Sequence, residues 1–205
     1  MGAAEPGLPL ERRAFLFVRH GETDWNRARL CVGQADRPLT EDGRRQARRL
    51  AERMDGVGVC AIFHSPLSRA AETAAILAAR LSCPAASEPA LIEASLGAKE
   101  GCREDDPQDD FMQGWLAGGE IAGAERYRDF ARRVVAAANC CLSKAPPGVP
   151  MLVSHWAVHF ALAQAAGVGA DDIGHCVPRR FAPMDGGWTA EPLPPVTSSG
   201  PPRTP

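Results

Sequence analysis

The sequence has no long apolar run, no CxxC pair and no surplus of one charge. A membrane helix needs about 20 predominantly apolar residues, and no stretch of the 205 residues approaches that. The opening MGAAEPGLPLERR lacks the apolar segment of a secretion signal. Pro6 stands where a myristoylation motif wants Ser or Thr. No membrane partner is therefore expected, and a cytoplasmic location is. A net charge of −2 and a pI near 6.2 leave no basic field to attract nucleic acid. Lysine is almost missing: of 23 basic residues only Lys99 and Lys144 are lysines. That bias makes any single arginine a poor signal of function. The seven cysteines are odd in number and irregular in spacing. They argue against a disulfide framework or a zinc site and for a reducing compartment.

What is present reads as alternating strands and helices. AFLFVR (14–19) and CAIFHS (60–65) are short, continuously apolar runs, as expected of strands buried on both faces. MLVSH (151–155) is a third. Thr40 is placed to cap a helix through RRQARRLAERM, with Glu41 and Asp42 in its first turn. Pro66 ends the second strand before the helical LSRAAETAAILAARL, and a weak strand is expected over 84–88. WAVHFALAQAAG is helical, with Gly167 as its stop. This order predicts an α/β fold, a three-layer α/β/α sandwich with a mostly parallel central sheet. The expected divisions are a flexible leader (1–13), one domain (14–190) and a disordered Pro-rich tail (191–205). Within the domain, 101–150 changes character: an acidic run, then FMQGWLAGGE, then a helix near 124–142. It reads as a small lid insertion over the sheet edge.

Ligands of open parallel sheets sit beyond the carboxyl ends of the strands. The first strand delivers Arg19 and His20 there, the second His64, Ser65 and then Arg69, and the Met151 strand Ser154 and His155. Guanidinium forks match phosphate oxygens, and helix N-termini add N–H donors. A histidine inside such a cluster can attack phosphorus and hold the phosphoryl group covalently. The expected partner is accordingly a small phosphorylated substrate. His64 reads as a packed neighbour. His155 and His159 have the i, i+4 spacing of metal ligands but no acidic residue between them, so a helix face is the better reading.

RHGETDWN (19–26), GQADRPLTEDGRRQA (33–47), SPLSRAAETA (65–74), LIEASLGAKEG (91–101) and VSH (153–155) occur in that order. Together they resemble the histidine phosphatase superfamily, the phosphoglycerate-mutase-like proteins, over roughly three quarters of the chain. The resemblance implies His20 as the nucleophile and Arg19, Arg69 and His155 as the rest of the phosphate pocket. It implies Glu93 as the proton donor to the leaving oxygen, and Thr23 and Asn26 near phosphate or substrate. It also implies phosphatase chemistry without metal or organic cofactor, in a monomer or homodimer. Two departures stand out. The second histidine of the family usually precedes glycine, with an arginine five positions on. Here Trp156 follows His155, and Phe160 takes the arginine's place. The Trp156 N–H can still donate to phosphate, while its indole must be housed beside the pocket. Ile92 and Ala94 also depart from the usual residues, and Gly33 is kept.

A phosphomonoesterase is the leading reading. A cofactor-dependent phosphoglycerate mutase is the alternative, disfavoured by the short stretch between Glu93 and His155. A weakly active or non-catalytic phosphate-binding member of the same fold is the third, kept open by Trp156 and Phe160. The acidic run 104–110 would repel a highly anionic substrate if it faced the cleft.

Overall fold

The computed structural model describes residues 8–104 and 111–193. The run Phe15–Arg19 forms β1 at the centre of a six-stranded sheet. Beside it lies β4 (Val149–Ser154), then β2 (Val59–His64) and β3 (Ala85–Ser87), all parallel. On its other side β5 (Pro178–Met184) runs antiparallel, and β6 (Gly187–Pro192) pairs antiparallel with β5. The order β3-β2-β4-β1-β5-β6 makes the sheet mostly parallel.

Side chains alternate across a strand, so β1 feeds two cores at once. Phe15 and Phe17 join one cluster with α5 (Tyr127–Lys144) and α6 (Trp156–Ala166). Leu16 and Val18 join the other with α2 (Glu41–Arg53) and α3 (Ser68–Leu81). All four are fully buried, which is why the run is apolar throughout rather than alternating. The result is a three-layer α/β/α sandwich. Thr40 caps α2 as its position implies, its hydroxyl accepting from the Gly43 N–H at 3.0 Å. The arginine face of α2 is laced with ion pairs, Arg44 to Glu72 and Arg48 to Glu41 among them. All seven cysteines are free thiols.

Two expectations are corrected. The described part of the leader is tied down. Leu10 is buried, the Glu11 N–H donates to Asn139 Oδ1 at 2.8 Å, and Asn139 Nδ2 donates to the Pro9 carbonyl. Arg13 gathers the carbonyls of Leu142, Ala145, Pro146 and Gly148. These follow the C-terminal turn of α5, where helix carbonyls have no partner of their own. The expected lid is also divided. Within 101–150, α5 is a layer helix whose Phe130, Val134 and Ala138 are fully buried, and Val149 already belongs to β4. Helix α5 begins later than the expected 124, at Tyr127, after Arg126 in an extended conformation. Among the described residues of this stretch, only a short helix, α4 (Phe111–Leu116), and its flanks lie outside the layers. The acidic stretch 105–110, residues 1–7 and the tail from 194 lie outside the described residues.

The Arg13 contacts make a prediction. Arg13→Ala should lower unfolding free energy in urea by about 1–3 kcal/mol, because it strands several carbonyls at once. A leader that contributed nothing would leave the transition unmoved.

Candidate active site

The carboxyl ends of β1, β4 and β2 lie side by side and are stitched together there. Arg19 stands in register with Ser154. The His20 N–H donates to the Ser154 carbonyl at 2.9 Å, and the Ser65 N–H to the Val153 carbonyl at 3.1 Å. His20 and His155, each one residue past its strand, bring their rings to 5.1 Å. Arg69 enters from the first turn of α3 and is fully buried. The chain breaks after His20 because the next residue runs against α2. A Cβ on Gly21 would lie 2.5 Å from the Gly43 carbonyl oxygen, and one on Gly43 would lie 2.3 Å from the Glu22 oxygen. Only two glycines allow that approach.

The protonation of His20 follows from its partners. Nδ1 lies 2.7 Å from the Gly21 carbonyl oxygen, which can only accept, so Nδ1 carries the proton. Arg69 Nε donates to His20 Nε2 at 3.2 Å, so Nε2 presents its lone pair. Burial holds the His20 pKa well below its ordinary 6.5, and the neighbouring His155, Arg69 and Arg19 lower it further. The imidazole is neutral at neutral pH. Arg69 fixes its fork on carbonyls, Nη1 to Ala35 at 2.8 Å and Nη2 to Gly33 at 2.7 Å. Burial pulls its pKa down to about 10, still protonated at neutral pH. Arg19 donates from Nη1 to the Ile173 carbonyl at 3.1 Å, and its buried Nε meets no acceptor among the described residues.

Glu93 reaches the same cavity from a loop between two short 3-10 turns, Pro89–Leu91 and Gly97–Lys99. Its carboxylate accepts from the Ala94 N–H at 2.9 Å and from the Ala157 N–H, in the first turn of α6, at 3.2 Å. Burial raises its pKa more than these bonds and the two arginines lower it. Sequence reasoning missed the device that holds this loop. Arg133 of α5 pairs with Glu125 through two bonds of 2.8 Å and donates to the carbonyls of Ala90, Ile92 and Glu93. In a chain this rich in arginine, nothing marked it.

The cavity holds about 280 Å³ and is lined by Arg19, His20, Arg69 and Glu93 at its buried end. It brings together two guanidiniums, a neutral imidazole lone pair and a carboxyl group with a raised pKa, the parts needed to bind and transfer a phosphoryl group. The histidine phosphatase superfamily (branch 1) family model matches residues 15–177. This chain belongs to that superfamily. The chain is 38% identical over 146 residues to a protein of Cronobacter sakazakii named probable phosphoglycerate mutase GpmB, covering 68% of this chain and 67% of that one. Among solved structures it resembles a mycobacterial glucosyl-3-phosphoglycerate phosphatase with VO3 bound. There the TM-score is 0.77 and the identity 25%, over 88% of this chain and 98% of the other. Bacillus stearothermophilus YhfR gives a TM-score of 0.74 at 26% identity, over 90% and 98%.

The remaining residues singled out by this superfamily's pattern fall in different places. His155 is buried behind His20, with Nε2 at 2.7 Å from Ser65 Oγ and its pKa held well below 6.5, chiefly by burial. Thr23 does not line the cavity. It is fully buried and caps a short helix, α1 (Asp24–Arg27), in a reciprocal box with Asn26. Asn26 does line it, and its Oδ1 is spent on Thr23, which leaves its amide nitrogen to donate. Trp156 lines the outer wall. Its indole stacks on Phe160 with ring centres 5.6 Å apart, and its Nε1–H donates to Asp172 Oδ1 at 3.1 Å. The two departures from the pattern are thus one packed pair. His64 ends β2, with Nδ1 donating to the Ser65 carbonyl at 2.8 Å. His159 packs against Phe17 and Phe181. His175, expected in a late strand or loop, lies in the loop before β5 and donates from Nδ1 to the His20 carbonyl at 2.8 Å.

The buried histidines set a pH dependence. Burial lowers His159 and His175 to about 4, and His20 and His155 well below 6.5. In the unfolded chain all four titrate near 6.5. As pH falls from about 6.5 towards 4, the unfolded state binds more protons and the fold loses stability. Glu93, with its raised pKa, acts in the opposite sense over part of that window. The urea midpoint should therefore drop between about pH 7.5 and about pH 5. A midpoint that stays level or rises would contradict neutral buried histidines.

Proposed function

We propose that the chain is a phosphomonoesterase that works through a phosphohistidine on His20. The observation that carries this reading is the fixed tautomer: Nδ1 bound to the Gly21 carbonyl and Nε2 facing Arg69, with Arg19 lining the same cavity. The phosphate of the substrate lies between Arg19 and Arg69, which hold its oxygens. The Nε2 lone pair attacks phosphorus as the bond to the ester oxygen breaks, and the Glu93 carboxyl gives its proton to the departing alcohol. Glu93, now a carboxylate, takes a proton from water. That water attacks phosphorus, the P–N bond breaks, and inorganic phosphate leaves. His155 does not line the cavity; buried behind His20, it shares a hydrogen bond with Ser65 and backs the nucleophile's ring. Burial moves both groups in the direction the reaction needs, Glu93 towards its protonated form and His20 towards its neutral form.

The phosphoglycerate mutase reading is favoured by the names of the relatives at 37–39% identity. A mutase must return the phosphoryl group to a second anionic molecule. Among the described lining residues the cations are Arg19 and Arg69, both at the buried end, and no further cation meets a second anionic group. Hydrolysis is the better fit.

The test is hydrolysis of p-nitrophenyl phosphate and of an alkyl phosphate in EDTA. His20→Ala should abolish turnover of both esters. Glu93→Gln should cost about 10²–10⁴-fold on the alkyl ester, and much less on the nitrophenyl ester, whose leaving group needs little protonation. Wild-type rates in His20→Ala would overturn the proposal, and equal losses on both esters would remove Glu93 as the acid. Loss of all activity in EDTA would point instead to a metal-dependent enzyme.

A further inference from the structure

Beyond the phosphate end the cavity changes character. Its outer walls include Val32, Leu96, Phe111, Met112 and Trp156, with the carboxylates of Glu104 and Asp172 among them. A phosphate fills only a small part of 280 Å³, so these walls face the alcohol portion of the ester. The apolar side chains suit a hydrocarbon or aromatic body. Asp172 is held to the wall by the Trp156 Nε1–H, and the indole is in turn held by Phe160. An indole beside a fixed carboxylate attracts a positively charged group twice, through the ring quadrupole and through charge. The negative charges of Glu104 and Asp172 also reach Arg19, where both oppose the lowering of its pKa by burial.

Resting on the phosphatase reading, we infer that the substrate is a phosphomonoester of an apolar, aromatic-sized alcohol carrying a cationic group, recognised by Trp156 and Asp172. A second anion on the alcohol is disfavoured. It would approach two carboxylates, with the cations of the described lining already engaged at the phosphate. Trp156, which on sequence looked like a threat to catalysis, becomes a specificity residue.

A matched pair of aryl phosphates tests this: the phosphate ester of tyramine, which carries an ammonium, and that of its carboxyethyl counterpart. The ring and the leaving oxygen are the same, so only the remote charge differs. Phenyl phosphate serves as reference. The kcat/KM of the ammonium ester should exceed that of the carboxylate ester by about tenfold or more at low salt, and the ratio should shrink as salt rises. Asp172→Asn should narrow the ratio, with the change mostly in KM. Asp171→Asn should leave it unmoved, because Asp171 pairs with Arg179 and does not line the cavity. Equal rates for the two esters, a preference for the carboxylate, or a ratio insensitive to Asp172→Asn would overturn the inference while leaving the phosphatase reading intact. Failure to hydrolyse any ester would instead sink that reading. The same pair titrated calorimetrically into His20→Ala still reads the preference, and equal affinities there would overturn the inference too.

Discussion

The structure is organised around positive charge held away from water. Buried guanidiniums usually answer to carboxylates, and an unpaired buried charge is costly. Here Arg69 and Arg19 spend their Nη donors on the neutral carbonyls of Gly33, Ala35 and Ile173. Their orientation is fixed by neutral groups, and among the described residues carboxylates act on them only without a direct bond. Of the carboxyl groups lining the cavity, Glu93 is itself buried and drawn towards its protonated form. The site is therefore electrostatically suited to an anion. Burial keeps His20 and His155 neutral, and the field of the two arginines reinforces it.

The layers hold that charge in place. Three parallel strands end together, so Arg19, Ser65 and Ser154 are set by backbone bonds rather than by flexible loops. The Gly21–Gly43 contact presses the turn after β1 against α2. Glu93 has no strand to stand on. Arg133 supplies the anchor, joining three carbonyls of its loop to a layer helix. The proton donor proposed for the reaction must stay within reach of one oxygen, and a loop alone would not ensure that.

Much of this was legible. The continuous apolar runs marked β1, β2 and β4, Thr40 marked the start of α2, and the residues just past each strand marked the site. What stayed hidden has common causes. Helix α1 is four residues long, too short for any period to appear. Thr23 looked like a substrate contact, yet its spacing to Asn26 is that of a cap, and the cap is what forms. Arg133 and His175 act on main-chain carbonyls, which leave no mark in side-chain pattern. Trp156 and Phe160 read as two separate departures although both fall in one expected helix; their i, i+4 spacing puts them on one face, where they stack.

The central claim is that phosphoryl transfer occurs in two displacements, first to His20 Nε2 and then to water. The most direct measurement is the stereochemical course at phosphorus, using a phosphorothioate ester made chiral there with two oxygen isotopes and hydrolysed in water of the third. Two in-line displacements each invert, so the account predicts net retention. Net inversion would mean that water attacks the ester directly, and would contradict a phosphohistidine on His20.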